Sequence, residues 1–204
     1  MADLEPHQRG HAADETDVAR AQEYTLLSRL LLRSPDADLL QRLRLLRGDE
    51  SVLGRAHQAL AESAARTDLE GVAREYFALF VGLGRGELLP YASYYLTGFV
   101  HGRPLVTLRQ DLQRLGIERA EGESEPEDHA AILLEVMGAL AGGLVGTPAG
   151  ADRGFFHDHL DPWIGGFFLD LERASCAHFY SAVGQLGTKF LEIERQGFQL
   201  TNSE

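Results

Sequence analysis

Glu125-Pro126-Glu127-Asp128-His129 runs directly into Ala130-Ala131-Ile132-Leu133-Leu134-Glu135-Val136-Met137-Gly138-Ala139-Leu140-Ala141, and this junction decides the reading of the chain. In it an acidic, proline-containing turn opens a long apolar helix. His129, Ile132, Leu133, Val136, Met137 and Leu140 fall at spacings of three and four, so one helical face carries them all. The apolar run from Ala130 to Val145 is interrupted by Glu135 and softened by Gly138, Gly142 and Gly143, so it is too broken to span a membrane. It is expected to be a core helix, from about Glu125 to Leu144, with Ser124-x-x-Glu127 as its cap.

Working outward, the same period recurs. Val18, Ala21, Leu27, Leu30 and Leu31 form a helical stripe that starts near Asp17 and stops at Ser34-Pro35, and a second helix follows to about Arg47. Thr67-x-x-Glu70 has the capping-box pattern, ahead of the stripe Leu69, Val72, Ala73, Tyr76 and Phe80. Gly82, Gly84 and Gly86 close that helix. Further helices are expected from Pro104 to Leu115, from Pro162 to Arg173 behind an Asp161 N-cap, and from Ser175 to Arg195. No segment alternates at a period of two. The fold class is therefore all-α: a single globular helical domain, with residues 1–16 as a loose arm, 17–117 and 129–204 as two helical parts, and 118–128 as an acidic hinge between two layers.

Composition narrows the function. The 204 residues are 44% hydrophobic and 25% charged, enough for a sizeable core. A net charge of -12 repels nucleic acid and anionic lipid and favours basic partners. The single cysteine, Cys176, excludes a disulfide framework within the chain, and a reducing compartment, the cytoplasm, is its natural setting. The first residues lack an apolar signal segment, so no export or stable membrane insertion is expected.

Few residues could carry chemistry. The glycines at 82 to 86 follow no strand and end in no Gly-Lys-Ser/Thr, so they suit a helix C-cap better than a phosphate loop. His157, Asp158, His159 and Asp161 have metal-ligand types, but residues two apart on a helix diverge and the HExxH spacing is absent. Ser93, Ser175 and Ser181 lack a nucleophile elbow. What stands out is aromatic. Tyr76, Leu79 and Phe80 share one face just before the glycine turn, and Pro90-Tyr91-x-Ser93-Tyr94-Tyr95 follows it. Such a cluster suits either ordinary core or a groove that takes an apolar peptide. His129 can likewise be a core histidine. Asp128, at a helix N-terminus beside a segment in which six acids face one arginine between 118 and 128, can pair a guanidinium.

These blocks, in this order and spacing, resemble the TorD/DmsD family of redox-enzyme maturation chaperones. The resemblance covers about Asp17 to Arg195 and rests on Tyr76-x-x-Leu79-Phe80, on Pro90-Tyr91-x-Ser93 leading to Gly98 and Pro104-Leu105, and on Glu125 to His129, with a weaker block at His159-Leu160-x-x-Trp163. It implies an all-α chaperone, not an enzyme, with no cofactor of its own beyond weak guanine-nucleotide binding. Its partners would be the twin-arginine leader and apo form of a molybdopterin oxidoreductase, whose export it delays until the cofactor is inserted. Formate dehydrogenase and dimethyl sulfoxide or trimethylamine N-oxide reductase are possible clients. Carried onto this chain, the peptide site comprises Tyr76, Leu79, Phe80, Pro90, Tyr91, Asp128 and His129. Many relatives place an acid where this chain has Ala92. The resemblance also leaves open an assembly chaperone for a client without a functional leader, and a monomer or a domain-swapped dimer; a nucleotide hydrolase is the remote alternative.

Overall fold

The computed structural model describes residues 14–119, 125–143 and 146–200, and among these every named element is a helix. Its ten helices are α1 (Glu15–Leu32), α2 (Ala37–Arg44), α3 (Val52–Ala65), α4 (Leu69–Tyr76), α5 (Ala92–Thr97), α6 (Arg103–Arg114), α7 (Ala130–Ala141), α8 (Ala151–Phe155), α9 (Ile164–Arg173) and α10 (Phe179–Leu200). Two of them, α4 and α8, run on into single π-helical turns, Phe77–Val81 and Phe156–Leu160. The only extended pairing among the described residues is an isolated antiparallel bridge between Tyr91 and His129.

Local sequence explains most of the helix starts. Asp14, Asp36 and Ser51 each accept an N–H from the first turn of α1, α2 and α3, satisfying a donor the helix itself leaves unpaired. Several expected starts move. Helix α10 begins at Phe179 and not at Ser175, because the Ser175 amide is taken by Glu87 at 2.7 Å, and it runs past Arg195 to Leu200. The cap of α4 is Asp68, which accepts from Gly71 N at 2.7 Å, one residue after Thr67. Helix α7 begins at Ala130 under a His129 cap and not near Glu125, because residues 128 to 130 are tied to Pro90 and Ala92 instead; Ser124 lies outside the described residues. Asp161 and Pro162 sit in the turn after the second π segment, so α9 starts two residues later, at Ile164. Of the expected N-terminal arm, Asp14 to Thr16 belong to the cap and first turn of α1, and residues 1–13 lie outside the described residues.

The core is continuous from the first helix to the last. α1 lies along α7, and α10 packs on α9 and α3, burying Tyr24, Leu27 and Leu30 with Leu133, Met137, Phe167, Phe168 and Phe190. Each such side chain contributes roughly 1.5–3 kcal/mol by leaving water. Gly138 permits the close approach of α1, since a Cβ there would lie 3.3 Å from the Ala21 carbonyl oxygen. Glu75, buried at the end of α4, reaches across to the start of α10: Oε1 accepts from the amides of His178 and Tyr180 at 2.8 and 2.7 Å, and Oε2 from that of Phe179 at 3.1 Å. No helix among the described residues is long and apolar enough to cross a membrane.

Candidate functional site

The two blocks that stand apart in sequence meet at the Tyr91–His129 bridge. Ala130 N donates to Pro90 O at 2.7 Å and Ala92 N to Asp128 O at 2.9 Å, clamping the turn before α5 to the turn before α7. His129 N closes that second turn onto Pro126 O at 3.0 Å. The His129 ring is edge-on to Tyr91 at 5.2 Å, and its Nδ1 accepts from Ala131 N at 3.1 Å, which requires Nδ1 to be without its proton. His129 is thus both a core residue and a helix cap.

Asp128 is 1% exposed, and the helix it serves is not its own. Oδ2 accepts from Ser93 N in the first turn of α5 at 2.9 Å, so the dipole expected to favour this carboxylate is that of α5 and not of α7. Oδ1 has no hydrogen-bond partner among the described residues. Ser93, fully buried, passes the constraint on: its Oγ accepts from His101 N at 3.1 Å, pinning the turn between α5 and α6 at a residue with a φ of 63°.

An acidic and aromatic face surrounds this clamp. Tyr91 donates its hydroxyl to Glu125 at 2.7 Å, and burial first, then that carboxylate, pushes its phenol well above the usual range. Burial also pushes Tyr76 up to about 12, with the Glu125 charge adding to it, so Glu125 faces both rings. Tyr76 donates to Leu32 O at the end of α1 at 2.8 Å and packs at a tilt, 5.1 Å between ring centres, on Phe80, whose ring meets that of buried Tyr180 edge to face at 5.4 Å. Arg109 grips Glu127 through Nε and Nη2, the latter at 2.8 Å, and this hydrogen bond holds the Glu127 carboxyl below its usual range.

Of the seven expected residues, Tyr76, Pro90, Tyr91, Asp128 and His129 gather at the clamp, and Phe80 adjoins them through Tyr76. Leu79 is fully buried, beneath the face. Tyr95 turns away, packing on Trp163 and Phe167 and donating to Asp170 at 2.9 Å. Sequence reasoning missed Ser93 as a pinning residue and Arg109 as the partner of Glu127. The spacing Pro90-x-x-Ser93 beside a helix start was the one available sign of the first; for the second there was none.

The other chemistry-bearing groups are engaged elsewhere. His157 is exposed and paired with Asp158, whereas His159 is bound to Asp111 on α6 at 3.0 Å, so the two imidazoles face different partners. No group of three or more metal-ligating side chains occurs among the described residues. Burial, followed by the Glu87 hydrogen bond, pushes the Cys176 thiol up to about 11, away from a reactive thiolate.

Comparison with known proteins identifies the family. Residues 47–169 match the model of the nitrate reductase delta subunit family. The chain belongs to that family, the one of the TorD/DmsD maturation chaperones. It is 28% identical over 162 residues to the chaperone protein TorD of Vibrio cholerae serotype O1, covering 72% of this chain and 73% of that one. To the TorD of Shewanella oneidensis it is 27% identical over 202 residues, covering 90% and 92%. A candidate redox enzyme maturation protein from Archaeoglobus fulgidus shares the fold, with a TM-score of 0.61 at 23% identity over 93% of this chain and 97% of the other. Within this TorD family the chain is a chaperone of molybdoenzyme maturation.

Proposed function

We propose that this TorD-family chaperone binds the leader peptide of a molybdopterin oxidoreductase in the cytoplasm, at the face built by Tyr76, Phe80, Pro90, Tyr91, Asp128 and His129, and delays export until the cofactor is in place. The observation that carries the reading is the Asp128 carboxylate: buried, held by one backbone amide, with its second oxygen unsatisfied beside half-buried rings. Leaving a buried carboxylate oxygen unpaired is unfavourable by about 1–3 kcal/mol or more, which a donor on the bound peptide would recover. A twin-arginine leader brings two guanidinium groups and an apolar stretch, matching the carboxylates and the aromatic face in turn.

Calorimetric titration with a twin-arginine leader peptide tests this. The leader should bind, bind less tightly at raised salt, and outcompete a scrambled peptide of the same composition; equal affinity for the two would reduce the face to a generic hydrophobic surface. A second reading is favoured by the family description itself, that of a nitrate reductase subunit. In it the client lacks a functional leader and the same face takes an internal segment. Mass identification of the client that copurifies from the native host separates the two by the presence or absence of a twin-arginine leader.

A further inference from the structure

Where α8 and the second π turn meet the end of α10 lies a groove of about 320 Å³ that shares no residue with the clamp. Its floor is aromatic. Phe156, 3% exposed, and partly buried Phe198 have ring centres 5.1 Å apart, and the Arg20 guanidinium lies over the Phe198 ring at 5.0 Å. Glu194 and Asp152 hold Arg20 in turn, so that ring is oriented before anything binds and has little freedom left to lose. The walls carry Arg153, Arg195 and His157 against one carboxylate, Asp161, which accepts from Arg195 Nε. Gly165 lets that guanidinium lie against α9, since a Cβ there would fall 2.9 Å from Nη2. Gly154 keeps the rim open: a Cβ at that position meets no atom within 4 Å.

We propose that this groove docks a partner protein through an acidic segment in which one large apolar side chain is flanked by carboxylates: the apolar group packs on Phe156 and Phe198, and the carboxylates pair with Arg153 and Arg195. The polarity is the reverse of that at the clamp, where carboxylates surround the rings. Ligand pockets commonly span about 300–1,000 Å³, so a groove at the small end of that range has the capacity of one anchoring side chain, not of a folded element. A neutral apolar segment would cover the guanidinium groups without giving them acceptors, which costs their hydration, and a basic one would add like charge. A carboxylate instead matches the planar donor fork of arginine. The net charge of -12 disfavours acidic partners at long range, so the pairing belongs to this groove and not to the surface at large.

The test uses the 204-residue chain and three capped tripeptides, Asp-Phe-Glu, its neutral isostere Asn-Phe-Gln and the truncated Asp-Ala-Glu, followed in amide correlation spectra. The amides of Gly154 and Gln199, both on the groove wall, are the reporters. Asp-Phe-Glu should shift them saturably and bind severalfold more tightly than either of the other two, and a twin-arginine leader peptide should leave it in place. Arg153→Gln should remove the preference for Asp-Phe-Glu over Asn-Phe-Gln. At Gly154 a side chain enters open space, so two variants keep the fold and reverse the local charge: Gly154→Lys should tighten the acidic probe and Gly154→Glu should weaken it. Equal shifts from the acidic and neutral probes, no shift from either, or the same effect from Gly154→Lys and Gly154→Glu would overturn the proposal. A response to the acidic probe that appears only in the Leu4→Ser variant would make the chain's own Asp3-Leu4-Glu5 the occupant and would overturn the partner as well.

Discussion

Asp128 shows what one carboxylate does when it lies between two helices. It caps α5 from outside that helix and leaves its second oxygen buried without a hydrogen bond. The sequence marked this residue as an anion near a helix start, but it could not show which helix, because that depends on the Pro90 to Ala92 segment folding back onto residues 128 to 130. Asp128→Asn is expected to melt close to the wild type, since an amide oxygen also accepts from Ser93 N. Leu79 gives the opposite expectation. Its place in the Tyr76, Leu79, Phe80 stripe allowed groove or core, and its full burial makes it core, so Leu79→Ala should lower stability by about 2–5 kcal/mol in chemical denaturation. Its effect on peptide affinity, measured well below its melting temperature, should be small.

Helices with leucine or aromatic stripes were legible, because large apolar groups at three and four residue spacing must share a face. α3 was not, since its buried side is largely Ala56, Ala61 and Ala64 around Leu60, and alanine gives a weak periodic signal. Nor were the π turns, where Gly82 N reaches back to Phe77 O at 2.7 Å and Asp161 N to Phe156 O at 2.9 Å, breaking the 3.6-residue period. Two ties between elements yield predictions. Glu75 caps α10 through three amides, so Glu75→Ala should reduce stability by about 1–3 kcal/mol in denaturant titration. His57 on α3 is half-buried against Glu23 on α1 at 2.9 Å, and that hydrogen bond raises its pKa above the ordinary value. The stability from this pair is therefore full below a pH of about 6.5 and is lost as pH rises through the raised value. The difference in melting temperature between the wild type and His57→Gln should be largest near pH 6 and shrink toward pH 9; a difference that grows with pH would contradict the pairing.

At the scale of the whole molecule, the first and last helices are tied together by Arg20. It donates from Nε and Nη2 to the two oxygens of Glu194 at 2.8 and 2.9 Å, and to Asp152 at 2.9 Å, while Tyr24 donates to Glu194 at 2.8 Å. α1, α8 and α10 are thereby fixed as a frame, against which the clamp between α5 and α7 is set. The class of this frame was readable from periodicity, and the site's blocks from their order, but the clamp between them was not, because Pro90 and Ala92 meet residues 128 to 130 only by tertiary packing. A net charge of -12 adds a long-range attraction for basic peptides that salt screens. The central claim is that a peptide guanidinium meets Asp128, and a double-mutant cycle tests it most directly: calorimetric affinities of the wild type and Asp128→Asn for a twin-arginine leader and for its arginine-to-glutamine counterpart. The account predicts a coupling energy on the order of 1–3 kcal/mol, so that each change alone removes most of what both remove together. Additive effects, with Asp128→Asn weakening both peptides equally, would contradict it.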